Sequence, residues 1–176
     1  MIAATAGSAS AATPTPRIDL KVLLLGTTAT DPDFLAWEGA LQREGVKFDT
    51  VVGSANSSVT SATLVGAPLA DGTPVAKYDA IIESVGGLID CSASPCTSYL
   101  TSAEQTAIEQ YEHEFNIRQI TGDIYPATTY GMNAPAVSGA LDGVSGTLTA
   151  DGQTVFPYLK STAAITMDTG TYGYEA

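Results

Sequence analysis

The sequence predicts an α/β domain on a parallel sheet, from three observations. An apolar run, Val22-Leu23-Leu24-Leu25, closes at Gly26 and passes through Thr27-Thr28-Ala29-Thr30 into helix-start chemistry. An unbroken Val/Leu run of this kind marks a strand buried on both faces, handing over to its crossover helix. A second run, Tyr78-Asp79-Ala80-Ile81-Ile82-Glu83-Ser84, ends in Gly86-Gly87, and a helix-period segment separates it from a third, Ile117-Arg118-Gln119-Ile120. Strands that alternate with helices pair in parallel, because the crossover returns the chain to the same edge of the sheet.

Each element has its own warrant. Residues 1–16 are Ala, Thr, Ser and Gly with Pro14 and Pro16, lack large side chains to bury, and are expected to be a flexible linker. They also lack the long apolar core of a signal peptide, so an exported form of this protein is expected to have lost its leader. Residues 17–176 are expected to form one module. The first strand spans residues 20–26. The helix after it has Asp31 as N-cap, Pro32 at its first position, Asp33 in its first turn and Gly45 at its end. Phe34, Trp37 and Leu41 form its apolar stripe, with Leu35 alongside. Residues 48–52 supply the second strand.

Residues 53–77 are rich in Ser, Thr, Gly and Ala, with a β-type run at residues 60–65 and an Asp71-Gly72 turn. The segment is long for a simple crossover, which predicts an inserted hairpin. Residues 78–84 form the third strand. Thr101-x-x-Glu104 is a capping box for a helix over residues 102–115, whose buried stripe is Ile108, Tyr111 and Phe115 with Ala107. Residues 117–120 are the fourth strand, followed by a polar turn at residues 121–126. Beyond it the helix period disappears. Residues 146–149 and 153–156 flank Asp151-Gly152, a two-residue hairpin signal, and residues 163–167 are a further strand candidate. The sum is a flavodoxin-like (Rossmann-like) parallel sheet with helices and a β-rich C-terminal extension.

Composition narrows the partners. The 176 residues, 44% hydrophobic, suffice for a substantial core, and no apolar run reaches membrane-spanning length. The 19 acidic against 7 basic residues give a formal charge of −12, which repels nucleic acid phosphates and anionic lipid. The expected partner is neutral or cationic. The two cysteines, Cys91 and Cys96, match neither a C-x-x-C motif nor half of a zinc site. A local disulfide stapling the Ser/Pro loop is expected, worth about 2 kcal/mol, with two free thiols as the alternative.

Most catalytic equipment is missing. The single histidine, His113, lies between Glu112 and Glu114, off the buried stripe, and is expected to be solvated. There is no G-x-S-x-G elbow, no G-x-G-x-x-G and no G-x-x-x-x-G-K-[ST]. Gly26-Thr27-Thr28-Ala29-Thr30 is similar to the hydroxyl-rich phosphate loop of flavodoxins, which keeps FMN binding as a minor alternative. Asp31 and Asp33, however, put two carboxylates where the phosphate would sit. No cofactor and no metal is expected.

In a parallel sheet, ligands bind outside the carboxyl ends of the strands. Thr28, Asp31, Glu83, Asp123 and Tyr125, followed by Tyr130, stand there in the predicted order and are the candidate ligand-binding residues. Carboxylates and hydroxyls suit the hydrogen-bonding groups of a sugar, and tyrosine offers an aromatic face with a polar handle.

Several phrases carry a family resemblance. The βαβ start, Lys77-Tyr78-Asp79-Ala80-Ile81-Ile82, the helix running from Glu104 to Phe115 into Asn116-Ile117-Arg118, and Asp123-Ile124-Tyr125-Pro126 are its first parts. Val155-Phe156-Pro157-Tyr158-Leu159 and Gly170-Thr171-Tyr172-Gly173-Tyr174 complete it. From Arg17 onward the chain resembles the family 87 carbohydrate-binding modules at the N-terminus of fungal and bacterial exopolysaccharide deacetylases, typified by the galactosaminogalactan deacetylase. The resemblance implies a secreted, non-catalytic module that binds polysaccharide or oligosaccharide beside a deacetylase domain. A partly deacetylated aminosugar polymer is cationic, which agrees with the acidic charge. Two alternatives share the fold: a degenerate class I glutamine-amidotransferase-like domain, without its Cys elbow and His-Glu pair, and a purely structural domain.

Overall fold

The computed structural model describes residues 14–55, 58–130, 132–160, 162 and 164–175. The chain divides into two compact units, Met1–Ile124 and Tyr125–Ala176.

The first unit is α/β. Its parallel strands are β1 (Val22–Gly26), β2 (Phe48–Val52), β3 (Ala80–Val85) and β4 (Arg118–Asp123), in the order β2-β1-β3-β4. β1 lies between two neighbours and is buried at every position, as its unbroken apolar run requires. Alternate residues serve opposite faces. Leu23, Leu25 and Ile81 join Ile108, Tyr111 and Phe115 of helix α3 (Ser102–Phe115) in one core. Val22, Leu24 and Ile82 join Phe34 and Leu41 of helix α1 (Pro32–Glu44) in the other, where Trp37 is half-buried.

The caps are local chemistry. Asp31 accepts from the Asp33 N–H, and Gly45 closes α1 in the left-handed region at φ 69°. Thr101 and Glu104 form the reciprocal capping box of α3, and Asn116 ends it at φ 54°. Tyr111 reaches from α3 into the strand entry, its hydroxyl donating to the Tyr78 carbonyl at 2.6 Å and accepting from the Tyr78 N–H at 2.9 Å.

Two sequence expectations for the first unit fail in instructive ways. Residues 60–65 are not a hairpin strand: helix α2 (Ser61–Leu64) is a single helical turn. Thr60 accepts from the Thr63 N–H while the Thr63 hydroxyl accepts from the Thr60 N–H, so two threonines do the work of a Ser/Glu capping box and override their β propensity. Residues 121–123 are not a turn but the end of β4, Thr121 pairing Glu83 and Asp123 pairing Val85. Gly122 permits this, because a Cβ there would come within 2.6 Å of the Ser84 carbonyl oxygen. The Asp71-Gly72 turn does form, with Gly72 at φ 84°.

The second unit holds a two-stranded antiparallel sheet of β5 (Val137–Ala140) and β6 (Tyr172–Glu175), and a shorter pairing of Ser145–Gly146 with Ile165–Thr166. The strand proposed at residues 163–167 is therefore Ile165–Thr166, and Ala163 lies outside the described residues. The Asp151-Gly152 hairpin does not form. Ala150–Val155 is a short helix, its N-cap Thr149 accepting from the Gly152 N–H at 3.0 Å. A type I′ turn needs positive φ at both central residues, and Gly152 is not among the positive-φ glycines.

Candidate functional site at the carboxyl edge of the sheet

The connections leaving β1 and β3 diverge to opposite faces of the sheet, and between them lies an open recess of about 420 Å³. Thr27, Thr28, Thr30 and Asp31 line it from the first loop, and Val85, Ile89, Asp90, Cys91 and Ser92 from the other side. Gly26 is required at the exit of β1, because a Cβ there would run into the Phe34 ring.

Asp31 organises the first wall. Its carboxylate accepts from the Thr27 hydroxyl, from the Asp33 N–H at 2.9 Å and from the Ser84 hydroxyl at 3.4 Å. One side chain thus caps α1 and ties the first loop to the end of β3, while Thr28 stands half-buried beside it, its hydroxyl 3.5 Å from that of Thr30. Burial pushes the Asp33 carboxyl above its ordinary range, and the nearby charges of Asp31 and Asp123 push it the same way. Asp31, Asp33 and Asp123 therefore share one electrostatic neighbourhood.

The second wall is framed by the antiparallel pairing of Ile89–Asp90 with Thr97–Ser98, and Cys91 is bonded to Cys96 across the loop. The Ser92 N–H donates to Asp90 at 2.9 Å and holds that carboxyl below the usual range.

Glu83 is placed differently. It is 3% exposed and does not line the recess. Its carboxylate accepts from the Gly87 N–H at 3.1 Å, at the turn that leads to Ile89, and burial raises its pKa. Glu112 of α3 is raised by burial first, then by the charges of Glu83 and Glu109, and its buried Oε1 has no hydrogen-bond partner among the described residues. Consecutive residues of β3 therefore act on opposite faces: Ser84 toward Asp31 and Glu83 toward α3.

Of the six sequence candidates, Thr28 and Asp31 line the recess and Asp123 shares the field of Asp33. Tyr125 and Tyr130 belong to the second unit. There Tyr125 is exposed and packs edge-on against Tyr174, ring centroids 4.8 Å apart, and Tyr130 is half-buried in the turn Thr128–Tyr130. Sequence reasoning passed over Thr27 and Ser84, the two hydroxyls that hold Asp31. The available signal was that each directly follows or closes an apolar strand. His113 is exposed on α3, and among the described residues no group of three or more His, Cys, Asp or Glu could hold a metal ion.

The cations are sorted along the sheet. Residues 26–34, 83–101 and 121–124, at its carboxyl edge, carry Asp31, Asp33, Glu83, Asp90 and Asp123 and no Lys or Arg. Lys21, Lys47, Lys77 and Arg118 flank the amino ends of the four strands. The two charged side chains that line the recess, Asp31 and Asp90, are both acidic, which disfavours an anion there and favours a cation.

No curated protein and no solved structure matches the chain. A model of the family described as Agd3 CBM87 matches residues 18–176, which spans both compact units. The chain therefore belongs to the Agd3 CBM87 family of carbohydrate-binding modules.

Proposed function

We propose that the chain is a non-catalytic module that binds the aminosugar-containing exopolysaccharide on which a neighbouring deacetylase domain of its parent protein acts, outside the cell. The carrying observation is the recess at the carboxyl edge of the parallel sheet, bounded by carboxylates and hydroxyls in loops without a single cation. Family membership supports carbohydrate as the ligand class, and the strand order supports reading the sheet as flavodoxin-like.

In this reading Thr28 hydrogen-bonds sugar hydroxyls, while Asp31, Asp33 and Asp123 attract the ammonium groups of a partly deacetylated polymer. Asp31 is already held by three donors, so its charge acts more than its lone pairs. Glu83 works from behind, holding the Gly87 N–H and with it the turn that carries Ile89 and Asp90. Tyr125 and Tyr130 are contact residues of the second unit. The same carboxylates disfavour the phosphate of a flavin. Among the described residues no helix is long and apolar enough to cross a membrane.

Titration with partly deacetylated and fully acetylated galactosamine oligomers tests the proposal. The deacetylated series should bind at low salt and weaken as salt screens the carboxylates. Absence of binding to either series at low salt overturns the carbohydrate reading, and release of acetate by this chain overturns the non-catalytic one. Tyr125→Ala should weaken binding by about 1–2 kcal/mol, as loss of an aromatic anchor does; unchanged affinity in the folded variant removes Tyr125 from the contact set.

A further inference from the structure

Tyr172 and Tyr174 alternate on β6 with Gly173 and so stand on one face of the β5–β6 sheet. Their cross-strand partners are Ala140 and Ser138, side chains too small to cover the rings. Tyr172 is 80% exposed, Tyr174 48% and Tyr125 59%. Tyr125 meets the Tyr174 ring at an interplanar angle of 69°, an edge-to-face pair that fixes the orientation of both rings. The other face is turned inward: a Cβ on Gly173 would lie 3.5 Å from Leu141, which is buried.

Exposing three aromatic rings to water costs solvation free energy, which folding leaves in place here although a neighbouring buried leucine shows that the sheet has an interior side. None of the five side chains on the face, Tyr125, Ser138, Ala140, Tyr172 and Tyr174, carries a charge. The face therefore selects an uncharged occupant with one apolar and one hydroxylated side. A pyranose ring is such an object: its axial C–H groups pack on an aromatic face, and its rim hydroxyls reach the phenol and serine oxygens.

We infer that Tyr172 and Tyr174, with Tyr125 at their edge, form a stacking platform for the neutral, N-acetylated sugars of the polymer. It is a binding site of different chemistry from the acidic recess of the first unit. The inference rests on the reading of the chain as an exopolysaccharide-binding module. It assigns acetylated residues to the tyrosines and deacetylated residues to the carboxylates, so that a mixed polymer is recognised in both of its states.

The experiment is isothermal titration of the whole chain with a fully N-acetylated galactosamine oligomer at low and high salt, using Tyr172→Ala, Tyr174→Ala and Tyr172→Phe. Because the face is uncharged, affinity for this oligomer should change less than about twofold with salt. Tyr172→Ala should lower it by about tenfold, the usual loss for an aromatic anchor, and Tyr172→Phe, which keeps the ring, should recover most of it. Saturation transfer from the tyrosine ring protons to the sugar C–H protons gives a second reading on the unmutated chain. Full affinity in folded Tyr172→Ala and Tyr174→Ala, with the partly deacetylated oligomer still bound, overturns the platform and leaves the acidic site standing. Failure of the unmutated chain to bind any oligomer overturns both. Concentration-dependent dimerisation lost in Tyr172→Ala, without sugar binding, identifies the face as an interface between copies and also overturns the proposal.

Discussion

Leu23, Leu24, Leu25 and Ile81 are wholly enclosed, while Val155, Tyr158, Ile165 and Tyr172 are more than half exposed. The first group belongs to the unit ending at Ile124 and the second to the unit beginning at Tyr125. In the first unit apolar side chains hold a sheet between two helical layers. In the second, Leu141 is the one buried hydrophobic residue among the described positions. Apolar surface that does not stabilise its own unit remains free to meet something else, so the two units differ in how much of their apolar surface goes into their own stability.

The sharpest way to break that division is to cut side chains in both units. Leu24→Ala removes a fully buried side chain from the α1 face of β1 and should cost about 2–5 kcal/mol. Ile165→Ala, at a position 65% exposed, should change stability by less than about 0.5 kcal/mol. Chemical denaturation followed by circular dichroism reads both. Comparable losses would mean that the second unit has a core of its own. Next in size is Tyr111→Phe. The ring and its packing against Phe115 survive, but the Tyr78 N–H and carbonyl lose the hydroxyl that serves them both, which predicts a loss of about 1–3 kcal/mol.

Replacing both Cys91 and Cys96 by serine comes third. The loop between them is exposed throughout, so burial does little to hold its shape, and the covalent bond is expected to contribute about 2 kcal/mol. Equal melting temperatures for the double variant and the parent chain would show that the Ile89–Asp90 pairing with Thr97–Ser98 suffices alone.

What was legible in the sequence follows the range of the interactions. The strand–helix handover at Gly26, the Asp31 cap with Pro32 behind it, the Thr101–Glu104 box and the Ile108–Tyr111–Phe115 stripe are all decided within one or two turns of chain, and all form as read. The Ser84–Asp31 bond spans 53 residues and the burial of Glu83 depends on α3, so neither leaves a local trace. In the second unit the signals were local but ambiguous. Asp151-Gly152 serves a turn or a helix start equally, and the Thr149 hydroxyl, at the end of the flank that reads as a strand, decides for the helix. The tyrosine face escaped notice because Tyr125 and Tyr174 meet only through tertiary structure.

The smallest expected effect concerns the carboxyls of the first unit. Glu83 and Glu112 are raised above the ordinary value of 4.5, Glu83 by burial and Glu112 by burial and then by its acidic neighbours. A raised carboxyl favours the folded state while it is protonated. That contribution is fully present below about pH 4.5 and is lost as pH rises through the folded-state values. Asp49, Asp71, Asp90 and Glu104 are lowered and oppose it, so the pH profile of the unmodified chain mixes both signs. Glu83→Gln separates them, because the amide keeps an acceptor for the Gly87 N–H and removes the charge that acts on Glu112. The variant and the parent should melt together near pH 4, and the variant should melt higher by a few degrees, about 1 kcal/mol, at pH 8. A gap of constant size from pH 4 to pH 8 would mean that the Glu83 carboxyl titrates alike in the folded and unfolded chain, and a lower melting point for the variant at pH 8 would mean that its carboxylate is held by donors beyond Gly87.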